Sequence, residues 1–169
     1  GKLLASSRLD FDALEAKPLL ATEAARRALE LAGLEAVLLD DHSHGAHVEA
    51  DPTLLGRALA NLLDNARTHG SGVRKLALKR EAPGSERRRD NASYVVFEVL
   101  DQGPGFAAED LPRVFEPFFR SGERGHGSLG LGLSLVDRIA RAHGGRAFAA
   151  NSPEGGASVG VKLPLSTTD

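Results

Sequence analysis

Two asparagines with helical spacing are the first residues whose types suggest chemistry. Asn61 and Asn65 lie four positions apart in a segment whose apolar residues repeat every 3.6 positions, so both amides project from one face of a predicted helix. Asparagine has poor helix propensity, so an interior pair indicates a role, although both could simply be surface residues. An amide oxygen is a hard, neutral ligand that suits Mg²⁺, whose other ligands are water and phosphate oxygens.

A second constellation follows a predicted strand at residues 101–105, which read Asp-Gln-Gly-Pro-Gly. The carboxylate of Asp101 can accept a hydrogen bond from an amino group. Gly103 and Gly105 have no side chain, so a flat ring can approach the bare backbone beside them. The same five residues would build an Asp-initiated turn equally well, and that alternative stays open on this segment alone.

A third constellation is a run of glycines that leads directly into a helix predicted at residues 133–142. Free backbone N–H groups at a helix N-terminus attract anions, and glycine lets phosphates come close. No strand precedes the run and no Gly-Lys-Ser/Thr ends it, which disfavours a Rossmann motif and excludes a P-loop. The glycines are Gly125, Gly127, Gly130 and Gly132. With the first two constellations, they supply a metal ligand, an adenine anchor and a phosphate cradle, which together indicate an ATP site.

Composition predicts a single soluble globular domain that contains these elements. The chain has 169 residues, of which 41% are hydrophobic, and a net charge of -2. There is no cysteine for a disulfide or thiolate metal site, and no basic excess for nucleic acid. No apolar run approaches a transmembrane helix or signal peptide. The absence of methionine and the first residue, Gly1, suggest a fragment of a longer polypeptide.

The pattern along the chain predicts two helix-bearing halves over a mixed sheet. A helix is predicted from the spacing of Leu19, Leu20, Ala24, Ala28 and Leu31, with Gly33 as its stop, and a second from the Asp51-Pro52 cap to about Gly70. A polar hairpin loop is predicted at residues 81–91, and an irregular segment at residues 101–132. The predicted strands are residues 36–39, 46–50, 73–79, 94–100, 147–150 and 158–163.

Five blocks, in order, resemble the catalytic domain of sensor histidine kinases, of the Bergerat-fold GHKL superfamily. Residues 61–66, Asn-Leu-Leu-Asp-Asn-Ala, resemble the N box, and residues 101–105 the first Gly box. The remaining blocks are residues 115–120 (the F box), residues 130–133 (the second Gly box), and Gly155-Gly156 before residues 161–164 (the last). The match extends over about two-thirds of the chain and is highly specific.

The resemblance implies an α/β two-layer sandwich: a mixed sheet covered on one face by three helices, with a flexible ATP lid over residues 103–129. Residues 1–12 would be the remnant of a preceding dimerisation and phosphoacceptor helix with its linker. Residues 13–169 would form the ATP-binding domain. The implied function is donation of the ATP γ-phosphate to a histidine on a separate dimerisation domain, for relay to a response regulator. The implied location is the cytoplasmic side of a bacterial inner-membrane sensor.

The resemblance also implies roles for individual residues. Asn65 would bind Mg²⁺, Asp101 would receive the adenine amino group, and Asn61 would lie beside the phosphates or the base. Gly103 and Gly105 would flank the base, and Gly130 and Gly132 would cradle phosphate oxygens. The full implied ATP-binding set is Asn61, Asn65, Asp101, Gly103, Gly105, Phe115, Arg120, Gly127, Gly130, Leu131, Gly132 and Leu133.

Two departures from the family pattern bear on the phosphates. The cation usual three residues after the metal-binding asparagine is replaced by Thr68, with Arg67 one place earlier, and Leu129 replaces a small polar residue. Two alternative functions follow. A hydrolytic ATPase of the superfamily would carry a glutamate four residues before the metal asparagine, where this chain has Asn61. A catalytically inactive nucleotide-binding scaffold is the second alternative, which the loss of a cation at Thr68 favours.

The histidines have less specific explanations. His42, His44 and His47, with Asp40 and Asp41, form a possible but disfavoured transition-metal site on an exposed turn. His69 and His143 end predicted helices, where an imidazole gains from the helix dipole, so a capping role is expected for both.

Overall fold

The computed structural model describes residues 13–82, 93–119 and 132–167. Within these ranges, no helix is both long and apolar enough to cross a membrane. Short 3₁₀ turns occur at Ala36–Leu38 and Leu111–Arg113. The regular elements are β1 (Lys17–Leu20), α1 (Ala21–Leu31), β2 (Leu39–His42), β3 (His47–Ala50), α2 (Pro52–His69), β4 (Val73–Glu81), β5 (Tyr94–Asp101), α3 (Gly132–Ala142), β6 (Arg146–Asn151) and β7 (Ala157–Pro164).

The main sheet has five strands in the order β2-β4-β5-β7-β6. Only the β2–β4 pair is parallel, and its connection contains α2; the other three pairs are antiparallel. A separate antiparallel ribbon joins β1 to β3, and the pair Val48–Leu165 links that ribbon to the residues just after β7. The predicted mixed sheet with three helices is therefore confirmed.

The hydrophobic core lies between one face of the sheet and the three helices. Alternate residues of the central strands are buried in it, because successive side chains of a strand point to opposite faces. Leu76 and Leu78 of β4 and Phe97 of β5 are all fully buried. They join the same cluster as the apolar stripe of α2 and residues of α1 and α3. The sheet thus fixes the helices that carry the predicted site residues.

The N-terminal prediction was wrong at one boundary. Leu19 and Leu20 were assigned to the first helix, yet they belong to β1 and pair with Val48 and His47 of β3. These leucines match helical spacing because β1 is followed directly by α1. Their pairing with β3 overrides that local pattern. Residues 36–38 form a 3₁₀ turn instead of the predicted strand, which begins only at Leu39. The other predicted helices and strands are confirmed to within a few residues.

Candidate nucleotide-binding site

The long helix α2 begins at a strong cap. The carboxylate of Asp51 accepts hydrogen bonds from the backbone N–H groups of Thr53 (2.9 Å) and Leu54 (3.1 Å), and Pro52 occupies the first helical position, as predicted. The backbone N–H of Glu15 also donates to Asp51, at 3.1 Å. Burial alone would raise the pKa of Asp51, but the three backbone N–H donors outweigh it, so its pKa lies below the ordinary value. The start of α2 is therefore firmly fixed.

Asn61 and Asn65 are both half-buried on α2. The side-chain amide of Asn61 donates to the backbone carbonyl of Gly132, the first residue of α3, at 3.2 Å. Asn65 lies one turn further along α2, and within the described residues its amide makes no hydrogen bond. One asparagine thus joins the N box to the start of α3, while the other keeps its amide available for a ligand.

Asp101 ends β5 and is only 2% exposed. Its Oδ1 accepts two backbone hydrogen bonds, from Gly103 N (3.0 Å) and from Ala157 N (2.9 Å) at the start of β7. The first bond belongs to the local Asp-initiated turn that the sequence predicted as an alternative. The second bond crosses from β5 to β7. Oδ1 of Asp101 thus joins the end of β5 both to the loop that follows it and to the start of β7.

Glycines pack directly against Asp101. A Cβ at Gly70, which follows α2, would lie 2.2 Å from Asp101 Oδ2, and one at Gly156 would lie 2.2 Å from the Asp101 carbonyl oxygen. A Cβ at Gly103 would lie 2.9 Å from the backbone of Gly70. The end of α2 is also bound to the loop by Gln102, whose N–H donates to the carbonyls of Gly70 and Gly72. A side chain at Gly70 or Gly156 would displace Asp101, and one at Gly103 would displace the backbone of Gly70.

Asn151, at the end of β6, holds the next part of the loop. Its Oδ1 accepts from the backbone N–H of Phe106 (2.7 Å), and its Nδ2 donates to the Phe106 carbonyl (2.8 Å). Gly105 has φ +82, and a Cβ there would lie 2.6 Å from Asn151 Oδ1. The sequence analysis missed Asn151, because an asparagine at a strand end carries no local signal for a contact with a loop 45 residues away.

The F box is partly packed on the core. Phe115 and Phe119 are half-buried against the main cluster, and Arg113 lies over the ring of Phe119 at 4.8 Å. Phe118 is 69% exposed and has φ +64, a left-handed conformation that is unusual for an aromatic residue. In the described part of the predicted lid, residues 103–119, Phe106 and Val114 are buried.

Several predicted site residues lie outside the described ranges. They are Arg120, Gly127, Gly130 and Leu131, together with Leu129 and the remainder of the predicted lid. Of the second Gly box, the structure describes Gly132 and Leu133. Gly132 is exposed at the first position of α3, and Leu133 packs partly against the core. Residues 1–12, predicted to be the remnant of a preceding helix, also lie outside the described residues.

Arg67, the cation one place before Thr68, contacts residues on the side of α1. Arg67 donates to the carbonyl of Ala32 at 2.8 Å, and its guanidinium lies 3.7 Å from Asp64. These three residues line a groove of about 900 Å³ between α1 and α2. Among the predicted site residues that the structure describes, Asn61 alone lines this groove. Thr68 is exposed.

The acidic residues and the histidine near β2 make hydrogen bonds and ion pairs with other residues of the chain. Asp40 accepts from Lys75 (3.1 Å) and pairs with His42 (2.9 Å), and the Lys75 bond is the main reason that its pKa is lowered. Asp41 Oδ1 accepts from the backbone N–H of Ser43 at 2.8 Å. In the described residues, no three histidine or carboxylate side chains are grouped to hold a metal ion.

The described site residues meet along the second half of α2. Asn61 contacts the start of α3, and Gly70, just past the end of α2, contacts Asp101. Nine residues of helical rise separate these two contacts, or about 14 Å. Asn65 lies between them. The structure therefore brings the N box, the first Gly box and the start of α3 together along one helix.

Comparison with known proteins assigns the family. Residues 50–167 match the family model described as histidine kinase-, DNA gyrase B- and HSP90-like ATPase. The chain belongs to this family, because the match covers more than half of its residues. Its relatives place it among sensor histidine kinases, as the sequence blocks predicted. One, the sensor histidine kinase component HK1 of Mycobacterium tuberculosis, is 43% identical over 118 residues, which are 69% of this chain and 64% of that protein.

A second relative, the signal transduction histidine-protein kinase AfsQ2 of Streptomyces coelicolor, is 40% identical over 79% of this chain and 23% of its own length. The chain thus spans less than two-thirds of these relatives. Among solved structures, the ATP binding domain of PrrB from Mycobacterium tuberculosis has a TM-score of 0.65 and 29% identity, covering 90% of this chain and 99% of that one. Full-length ShkA in complex with AMPPNP has a TM-score of 0.68 and 25% identity, covering 92% of this chain and 32% of that one.

Proposed function

We propose that this chain binds Mg²⁺-ATP along the second half of α2 and presents the γ-phosphate to a histidine on a separate dimerisation domain. The single observation that carries the proposal is the meeting of three sequence blocks along α2: Asn61 with Gly132 at one end, and Gly70 with Asp101 at the other. The AMPPNP complex of the similar ShkA structure supports a nucleotide as the ligand.

The adenine is assigned to the Asp101 end. Asp101 is a buried carboxylate that is anchored through Oδ1, and a ring amino group is a suitable donor to such a group. Backbone at Gly103 and Gly105 leaves room for a flat base beside it. The proposed hydrogen bond from the amino group to this carboxylate would give selectivity for adenine over a base that has no amino group at that position.

The phosphates are assigned to the Asn61 end, where α3 begins. The N-terminus of α3 provides the positive end of a helix dipole, which attracts anions, and Gly132 leaves the approach open. Gly127, Gly130, Leu131 and Leu133 are proposed to complete this cradle, with Phe115 and Arg120 at the base of the lid.

The donor set at Asn65 fits Mg²⁺. Its amide oxygen is a hard ligand without a protein partner among the described residues, and a single protein ligand is compatible with an ion that keeps several waters. When bound, Mg²⁺ would neutralise charge on the β- and γ-phosphates. The role of Asn65 is to hold the triphosphate in a defined position through that ion.

Transfer is favoured over hydrolysis because Asn61 cannot act as a base. An amide nitrogen that donates to a carbonyl has no lone pair to accept a proton from water. The chain would therefore retain ATP until an acceptor histidine approaches. We propose the chain's own dimerisation domain, in a homodimer of the full-length protein, as the direct partner, and a response regulator as the later one. The proposed setting is the cytoplasmic side of a bacterial inner-membrane sensor.

The test is transfer of labelled γ-phosphate to a supplied acceptor domain. The chain with Mg²⁺-ATP should phosphorylate the acceptor in trans and release inorganic phosphate only slowly without it. An acceptor whose phosphorylated histidine is replaced by glutamine is the matched control. Brisk phosphate release without acceptor would support a hydrolytic ATPase instead. Nucleotide binding without transfer would support an inactive scaffold.

A further inference from the structure

The imidazole of His143 connects two helices of the site. His143 directly follows α3, and its Nδ1 lies 2.7 Å from the carbonyl oxygen of Ile139, one turn earlier in that helix. This is the capping contact that the sequence predicted. Its Nε2 lies 3.0 Å from the backbone nitrogen of Asp51, 92 residues away and immediately before α2. The end of α3 is thus bonded to the start of α2.

These two contacts determine which nitrogen carries the proton. A carbonyl oxygen can only accept, so Nδ1 must donate to Ile139. A backbone N–H can only donate, so Nε2 must accept from Asp51. His143 is therefore a neutral imidazole with its proton on Nδ1, which is the less common tautomer of a free histidine side chain. A fixed tautomer of this kind is a measurable property of the contact.

The contact with Asp51 lies at the opposite end of the helix pair from the contact between Asn61 and Gly132. α2 and α3 run antiparallel, so the end of α3 lies beside the start of α2, and the start of α3 lies beside Asn61 in the middle of α2. Between the two polar contacts the interface is apolar, formed by Leu54, Ala58 and Ile139. Apolar contacts are not directional and resist sliding weakly, whereas hydrogen bonds at both ends fix the axial position.

The end of α3 is itself fixed to the sheet, which makes it a suitable reference. Gly144 has φ +81, and a Cβ at Gly145 would lie only 1.8 Å from the carbonyl oxygen of Lys162 in β7. The backbone after His143 therefore lies against the sheet without space for a side chain. Through His143, this fixed point positions the first turn of α2, and α2 carries Asn61 and Asn65.

We propose that His143 is a positioning residue for the nucleotide site, which holds α2 in axial register with α3 so that Asn61 meets Gly132. The expected effect on nucleotide binding rests on the proposed function, whereas the axial register of α2 with α3 does not. Loss of the bond to Asp51 should weaken ADP binding about three- to tenfold, the effect of one net hydrogen bond.

Two substitutions separate this role from simple helix capping. In His143→Gln, the longer side chain can place an amide oxygen near the Nε2 position and accept from Asp51. In His143→Asn, the shorter side chain can place an amide nitrogen near the Nδ1 position and donate to Ile139. A positioning role predicts that the glutamine variant stays close to the unchanged chain and the asparagine variant is impaired. A capping role predicts the reverse order.

The experiment measures three properties of the whole 169-residue chain. Imidazole nitrogen chemical shifts should show the proton of His143 on Nδ1. Without nucleotide, the side-chain amide resonance of Asn61 should shift in His143→Asn and remain in place in His143→Gln. ADP affinity, measured by calorimetry below the unfolding transition of each variant, should follow the same order.

A proton on Nε2, or equal Asn61 shifts in the two variants, would overturn the inference. If the unchanged chain bound no ADP, the proposed function would fail, but the tautomer and the Asn61 resonance would still decide the positioning role.

Discussion

The two ends of the proposed site differ in how completely the protein itself forms them. At the Asp101 end, the carboxylate is buried, accepts two backbone hydrogen bonds, and packs against Gly70 and Gly156 without space for a methyl group. At the Asn61 end, one 3.2 Å hydrogen bond joins α2 to α3, and the amide of Asn65 has no partner among the described residues.

This difference predicts that the two ends of the proposed site have different roles. The Asp101 end is preorganised, so a ligand group that matches it binds without an ordering cost to the protein. At the Asn61 end, the partners of Asn65 would come from the proposed ligand, its metal ion and the second Gly box. Substitutions at the Asp101 end should therefore affect folding and selectivity, and those at the Asn61 end should affect metal dependence and affinity.

The largest effect is expected from Gly156→Ala. Its φ of +79 is unfavourable for alanine, and the new Cβ would lie 2.2 Å from the Asp101 carbonyl oxygen. The free energy of unfolding should fall by about 2–5 kcal/mol, measured by urea denaturation. Gly155→Ala is the matched control, because it has φ +99 but no atom within 4 Å of its Cβ, and should cost only about 1–2 kcal/mol. Equal losses would mean that the junction at Asp101 is not tightly packed.

Asp101→Asn, at the same end, should change nucleotide selectivity while the fold remains stable. An amide keeps one acceptor oxygen for the N–H groups of Gly103 and Ala157, so the fold should survive. The charged acceptor proposed for adenine is lost, which should weaken ATP binding about ten- to a hundredfold. Competition between ATP and GTP measures the change. Unchanged preference for ATP would remove Asp101 from adenine recognition.

At the other end, Asn65→Ala should abolish the Mg²⁺ dependence of ATP binding with little effect on folding. No described hydrogen bond is lost, and alanine has the higher helix propensity, so the free energy of unfolding should change by less than about 1 kcal/mol. Calorimetry with Mg²⁺ and with a chelator measures the dependence. Gly56→Ala, also in α2 with nothing within 4 Å, controls for the change in helix propensity. A variant that still requires Mg²⁺ would contradict the assignment.

The smallest effect is expected from Thr68→Arg. Thr68 is exposed, so a new cation would act through solvent and should tighten ATP binding only about two- to fivefold, less at higher salt. Adenosine, which has no phosphates, should show no change. Arg67→Ala should leave ATP affinity unchanged, because Arg67 is bonded to Ala32 on the side of α1. Weaker ATP binding in Arg67→Ala would show that this side chain moves to the phosphates.

The sequence predicted those parts of the fold whose information is local. The cap at Asp51, the apolar stripe of α2 and the apolar residues of strands β4 and β5 are each readable within a short window, and the structure confirms these elements. The boundary at Leu20 was wrong because β1 exists only through its pairing with β3. A search for periodicity in a short window cannot detect this pairing, and here the window covered both the end of a strand and the start of a helix.

The same distinction applies to the site. Motif blocks identified Asn61, Asn65 and Asp101, because their residue types and spacing carry chemistry. Gly70 was identified only as a helix stop, and Asn151 was not identified. Their roles depend on contacts with Asp101 and Phe106 across large separations in sequence. Residues that support a site from a distance have no motif of their own.

The hydrogen bond between Ala157 and Asp101 allows the segment between them to vary in length. It closes a stretch of 56 residues that contains the whole predicted lid and α3. The entropy of closing a loop grows only with the logarithm of its length, so ten further residues in the lid would cost about 0.15 kcal/mol. A single methyl group at Gly156 is expected to cost more than ten times as much. The predicted lid could therefore vary in length above an unchanged Asp101 end, whereas the glycines at that end cannot be exchanged.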